Sequence, residues 1–367
     1  MLFGVPIQSL AFLTAAVGIA ARKHPDPNDL AFTAMEIAVP NSPITRRSTL
    51  AGLAGATALG ALPRAARAAP TKITFLTSWF AEAEHGGFYQ AKATGLYEKA
   101  GLDVTIKMGG PQVNGMQLLT AGAADIIVGY DIQVLNGIAQ NLPITTIAAS
   151  FQFDLQGVMT HPDIHSIAEL KGHKVLIAAT SHSTFWPWLK QKYGFTDDMA
   201  GVDTFNLQPF LVDKTLAMQG YPSSEPYEAK LANAAANFFL FGDDGYPPYG
   251  TTLVSTTKWL DANPAAAQAF VKATMEGWVS YLKDPAPANK LIKVDNPKMP
   301  DGQLDFAVEW MKKNHVLDKG GVPIGTMTEA RWKATRDFLV EANVLKPEVP
   351  WQKAFTTRYV DGLNIAI

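Results

Sequence analysis

The chain of 367 residues contains no cysteine. That excludes disulfides, thiolate metal sites, cysteine nucleophiles and a lipid anchor on an acylated cysteine. Charge is sparse: Asp, Glu, Lys and Arg make up 17%, against 47% hydrophobic residues. Such a chain can build sizeable cores, and its length has room for two domains. Six of the 31 basic and three of the 33 acidic residues lie in residues 1–68, so the remainder is net negative by five. A mildly acidic body without a basic cluster argues against nucleic acid or an anionic membrane surface as partner. After residue 68 no run of about 18 apolar residues occurs, so the mature protein is expected to be soluble. Catalytic signatures are missing too: there is no Gly-x-Ser-x-Gly, no phosphate-binding P-loop and no His-Glu-x-x-His. His161, His165, His173 and His182 lie near one another in sequence without metal-ligand spacing, and Asp243-Asp244 reads as a solvent-facing loop. No metal, cofactor or enzymatic activity is expected.

What is present begins with a targeting segment, residues 1–68, to be kept out of the fold argument. Thr45-Arg46-Arg47-Ser48-Thr49-Leu50 precedes a weakly apolar Gly/Ala run, and Ala66-Arg67-Ala68 supplies a small-residue cleavage site. This resembles a bacterial twin-arginine signal; a basic pair before an ordinary signal core is the alternative, and both imply export. Cleavage is expected near Ala68-Ala69, with the mature protein in the periplasm. The apolar run Leu2 to Ala21 contains Pro6 and stops at Arg22-Lys23, so translation is expected to start at Met35 and residues 1–34 to lie upstream of it.

From residue 70 onward, short β-rich runs alternate with helical stretches. Strands are expected at 72–79, 103–107, 125–129, 144–150, 155–160, 174–179, 203–207, 238–241 and 250–256. Helices are expected at 87–100, 112–121, 131–140, 183–193, 209–219 and 224–235. The alternation predicts mostly parallel sheets with crossover helices. After residue 256 the strands stop, and proline-broken helices follow. The expected architecture is α/β: two lobes joined by a two-segment hinge, with a helical tail on the first lobe. Residues 69–156 plus 250–367 are assigned to lobe 1 and 157–249 to lobe 2.

Candidate binding residues sit where strands end. Trp79, Phe80, Glu82, Glu84 and His85 follow the first strand. An indole at the junction of a buried strand and a polar loop offers a stacking face, or simply packs in the core. Glu82 either faces a ligand or is a solvated turn residue, and His85 either contacts ligand or caps the next helix. Asp131 reads as an N-cap or a ligand contact. Gln152 lies in the first crossing between lobes. Ser181, His182 and Ser183 belong to a Ser/Thr-rich loop that opens a helix, fit for an anion cradle or for capping. Tyr221 and Glu225 occupy a tight loop whose path Gly220, Pro222 and Pro226 fix. A carboxylate held there beside a ring suits hydrogen bonds from an amino-heterocycle.

The frame Trp79-x-x-x-x-x-His85-x-Gly87-x-Tyr89, with Gly95-Leu96-Tyr97 and Gly101-Leu102-Asp103-Val104, resembles the periplasmic solute-binding proteins of ABC importers. Within them it is similar to the branch of thiamine-pyrimidine-precursor and riboflavin binders, with the related eukaryotic pyrimidine synthase. The resemblance implies a type II periplasmic-binding fold that closes on its ligand. It also implies a ring-stacking role for Trp79 and a second-lobe contact from Tyr221 and Glu225. Those relatives carry Pro-Asn where this chain has Ala81-Glu82, which favours a donor-rich or partly cationic ligand. The synthase relatives carry a cysteine-rich motif, and its absence here speaks against an enzyme. The expected function is a monomeric receptor delivering a small nitrogen heterocycle to an inner-membrane ABC permease. Alternatives are a small anion (alkanesulfonate, taurine or nitrate) in the same fold and, remotely, a pyrimidine-synthase-like enzyme.

Overall fold

The computed structural model describes residues 69–367. The readings on residues 1–68 (the export signal, the start at Met35 and cleavage near Ala68-Ala69) fall on or border residues outside those described. No described helix is long and apolar enough to cross a membrane.

The strands are β1 (Thr71–Leu76), β2 (Leu102–Lys107), β3 (Ile126–Gly129), β4 (Ile144–Phe151) and β5 (Gly157–Thr160). They continue with β6 (Lys174–Ile177), β7 (Ala200–Val202), β8 (Leu216–Gly220), β9 (Asn237–Leu240) and β10 (Gly250–Thr256). They form two five-stranded sheets, ordered β2-β1-β3-β10-β4 and β7-β6-β8-β5-β9. The chain thus crosses to the second sheet after β4 and returns before β10. The two crossings run together: the Asp154 amide donates to the Pro248 carbonyl at 3.2 Å.

Neither sheet is all parallel. β10 pairs antiparallel with β3 and β4, and β5 pairs antiparallel with β8 and β9. The exception has a topological cause. β5 and β10 are the first strands after each crossing, so they start at the hinge and run away from it, whereas β1, β3, β6 and β8 run toward it.

Two local expectations fail for a related reason. Residues 209–219 were expected to be helical, but the helix is only Gln208–Val212, and β8 lies between β6 and β5. Leu216, Ala217 and Met218 are good helix formers locally; pairing on both sides overrides that preference. The strand expected at 203–207 ends instead at Val202, which leaves 203–207 as the loop beyond the strand.

The tail helices complete the first lobe, as expected. Helix Gly86–Ala93 lies against helix Pro264–Lys283 at very close range. A Cβ on Gly86 would come within 2.1 Å of the Tyr281 ring, and one on Gly87 within 2.2 Å of the Trp278 ring. The Gly86-Gly87 pair therefore serves helix–helix contact. Phe75, Phe88, Phe151, Phe270 and Trp278 form the buried aromatic centre of this lobe. The tail also lines β4, through isolated bridges of Thr146 to Phe355 and Ala149 to Gly325.

Candidate functional site

The carboxyl ends of β1, β3, β6 and β8 all point into the space between the lobes, the usual ligand position in open α/β sheets. Trp79 is placed there by a pinned backbone. Its carbonyl accepts from the Thr77 hydroxyl at 2.8 Å and the Gly109 amide at 3.1 Å. The indole is half-buried, with the Phe80 ring edge-on at 5.5 Å and the second-lobe Phe205 ring at 4.8 Å.

After Trp79 the chain turns through the short helix Ala83–His85. His85 is buried; its Nδ1 lies 3.1 Å from the Phe80 carbonyl and its Nε2 3.4 Å from the Ser78 hydroxyl. Burial lowers its pKa to about 4, against the Phe80 hydrogen bond, so the ring is neutral. A neutral imidazole beside a carbonyl carries its proton on Nδ1 and accepts from Ser78 through Nε2. His85 staples the turn that presents Trp79 and Glu82.

Carboxylates dominate what remains. Glu82 is half-buried and held well above the usual carboxylate range, first by desolvation and then by Glu84 and the second-lobe Glu225. Glu84 is buried and raised by burial, although the Ser223 hydroxyl, from the opposite lobe, donates to it. Glu225 accepts from the Tyr221 amide at 2.6 Å, and desolvation still pushes it up to about 8. The Tyr130 and Tyr221 hydroxyls meet across the lobes at 3.0 Å. Among the described residues, no Lys or Arg forms an ion pair with Glu82, Glu84 or Glu225.

The cleft thus unites Trp79, Glu82, Tyr221 and Glu225 from the expected set. The other candidates are engaged elsewhere. Asp131 is fully buried: its Oδ2 accepts from the Tyr249 amide at 2.9 Å, its Oδ1 has no partner, and burial raises its pKa to about 7. It thereby braces the returning crossing at Tyr249. Gln152 donates to the Thr326 carbonyl at 3.0 Å and so ties the first crossing to the tail. Ser181 donates to Gln219 Oε1 at 2.6 Å, which sets the loop before Tyr221. His182 and Ser183 are exposed in the short 3-10 helix Ala179–Ser183, and Ser183 donates to the Thr180 carbonyl at 3.0 Å. The α-helix begins only at Trp186, with Pro187 in its first turn, so an anion cradle at 180–184 is poorly furnished with free amides.

Sequence reasoning missed Phe205 as an inter-lobe residue, whereas Tyr130 and Ser223 lie in loops it had placed at the cleft. Phe205 was hidden by its assignment to a strand. Tyr130 directly follows β3, the position that marked it in the sequence. A hollow of 560 Å³ lined by Ile138, Pro143, Ile144, Lys353 and Arg358 lies beside the starting end of β4, away from the cleft.

Known proteins share this fold and family. The chain is 24% identical over 241 residues to a 4-amino-5-hydroxymethyl-2-methylpyrimidine phosphate synthase of Aspergillus parasiticus, covering 59% of this chain and 68% of that one. It is 21% identical over 325 residues to the riboflavin-binding protein RibY of Chloroflexus aurantiacus, covering 81% and 89%. With the formylaminopyrimidine-binding protein of Halalkalibacterium halodurans it shares 23% over 298 residues, covering 78% and 89%. Among solved structures, the alkanesulfonate-binding protein SsuA of Xanthomonas axonopodis pv. citri, bound to MOPS, superposes with a TM-score of 0.59 at 15% identity. That match covers 79% of this chain and 99% of the other. At that identity the likeness concerns the fold, a type II periplasmic-binding fold of two α/β lobes. Residues 82–288 match the family described as NMT1/THI5 like, and the chain belongs to that family.

Proposed function

We propose that this protein is a non-catalytic receptor that binds a small nitrogen heterocycle between its lobes and delivers it to an ABC permease from the periplasm. The observation that carries the reading is the convergence of Glu82, Glu84 and Glu225 beside Trp79 and Tyr221, with no Lys or Arg paired to them among the described residues. Such a cleft accepts hydrogen bonds and positive charge and offers aromatic faces for a flat ring. It offers an alkanesulfonate or nitrate no Lys or Arg to pair with among the described residues. Relatives named for riboflavin and formylaminopyrimidine binding support the heterocycle. A relative named as a synthase keeps an enzyme in view. The chain has no cysteine with which to form the cysteine-rich motif of the synthase relatives.

The ligand is donor-rich and carries or readily takes up positive charge, because such a ligand draws the raised Glu82 and Glu225 carboxyls into their ionised, accepting form. Isothermal titration against 4-amino-5-hydroxymethyl-2-methylpyrimidine, riboflavin, taurine and nitrate tests this. Saturable binding of a heterocycle, returned chemically unchanged, is the expected result. Binding confined to taurine or nitrate overturns it, and turnover of the heterocycle overturns the non-catalytic part.

A further inference from the structure

Beyond β7 the chain turns back sharply, and Phe205 adopts φ +55°, a left-handed conformation that a bulky side chain rarely takes. The turn is held by Asp203, whose Oδ1 accepts from the Phe205 amide at 2.7 Å; Asp203 in turn donates its own amide to the Ile177 carbonyl at 3.0 Å. The same Asp203 contributes to raising Glu225, so this loop stands beside the Tyr221–Glu225 loop. Phe205 belongs to no core: the residue is 46% exposed, and its ring meets Trp79 of the opposite lobe at 4.8 Å and 58°.

That spacing decides what the pair does. Carbon surfaces pack about 3.5 Å apart, so a flat ring held between two aromatic faces needs about 7 Å between them. Trp79 and Phe205 are too close to hold one between them. We propose that Phe205 is a gate: in the empty receptor it covers the indole face on which the ligand's ring stacks, and the entering ring displaces it. The gate rests on the heterocycle reading above. Two features suit a displaceable group. The ring is exposed, so it leaves without opening a core cavity. It comes from the opposite lobe, so any opening of the cleft uncovers Trp79 at once. Phe80, edge-on to the indole from the same lobe, stays with Trp79 in either state.

The test compares the wild type with Phe205→Ala, titrated with 4-amino-5-hydroxymethyl-2-methylpyrimidine by calorimetry and stopped-flow fluorescence. A gate competes with the ligand for the indole, so its removal tightens binding by about two- to tenfold, the equivalent of one aromatic contact, with the gain in the association rate. Weaker or unchanged binding by Phe205→Ala makes Phe205 a pocket wall or a bystander and overturns the gate. If the wild type binds none of the heterocycles, the heterocycle reading fails by itself, and a ligand-free measurement still judges the gate. The Trp79 emission, obtained by difference against Trp79→Phe, is to be quenched more strongly by acrylamide in Phe205→Ala than in the wild type. Equal quenching overturns the gate whatever the ligand.

Discussion

Replacing Glu225 by Gln separates charge from shape in the cleft. Gln keeps a carbonyl oxygen where the Tyr221 amide donates at 2.6 Å, and it removes the titration. In the folded protein the Glu225 carboxyl is raised to about 8 by desolvation, from an ordinary value of 4.5. A folded-state pKa above the unfolded one means that the native chain holds a proton the unfolded chain has released. Stability is therefore lost as pH rises from about 4.5 to about 8 and is level above that. One pH unit is worth at most about 1.4 kcal/mol here, and the full window about 5 kcal/mol. Glu225 is half-buried, so solvent screening reduces this to about 2–3 kcal/mol. In the empty protein, Glu225→Gln is expected to match the wild type near pH 5 and to exceed it progressively toward pH 8. Guanidinium unfolding at pH 5, 6, 7, 8 and 9 measures the difference. Parallel curves for the two proteins across that range refute the buried-carboxyl reasoning. In the same variant a cationic heterocycle loses a charged acceptor, so binding above pH 8 weakens by about 1.5–3 kcal/mol.

Two further outcomes follow from contacts on the page. Gly87→Ala places a methyl within 2.2 Å of the Trp278 ring, at a helix crossing already closed on the other side by Gly277. Overpacking of this kind costs about 1–3 kcal/mol or more, so the melting temperature drops by several degrees; an unchanged melting temperature contradicts the packing described. Ser223→Ala leaves the buried Glu84 carboxyl without its partner from the opposite lobe. That loss weakens the lobe–lobe contact by about 1–3 kcal/mol, and small-angle X-ray scattering of the empty protein is expected to show a larger radius of gyration. An identical scattering profile shows that the pair does not hold the lobes together.

Periodicity in the sequence was enough for the α/β alternation, the end of strands at Thr256 and the two crossings. These depend on local patterns of β-branched and helical residues, which short segments carry by themselves. The same local signal misread 209–219. Leu216 to Gly220 is a strand only because β6 and β5 flank it, and no window of the sequence contains both neighbours. It also misplaced Phe205 inside a strand, so the residue facing Trp79 went unseen.

The site divides in the same way. Trp79 and Glu82 were legible because they follow a strand with a composition unusual for packing alone, and Tyr221 and Glu225 because a tight Gly/Pro-fixed loop holds them, although that loop was read as joining two helices rather than following β8. Residue type could not say which of Asp131, Gln152, Ser181, His182 and Ser183 would face the cleft. Each is a polar residue near a strand end, and its orientation depends on partners more than 35 residues away or on local turn geometry, such as Tyr249 for Asp131, Thr326 for Gln152 and Gln219 for Ser181. His85 shows the division within one residue. Its chemistry is written in the sequence, while its neutrality comes from burial under the turn it staples.

By itself, then, the sequence determined what the protein lacks, the alternation of its elements and the loops that hold the candidate residues. Those are properties of residue type and spacing. Only the tertiary structure decided the mixed strand order, the pairing of Trp79 with Phe205 and of Glu84 with Ser223, and the crowding of carboxyls that raises their pKa values. Those depend on which distant segments desolvate and face one another, and a chain acquires that information only when the two lobes meet.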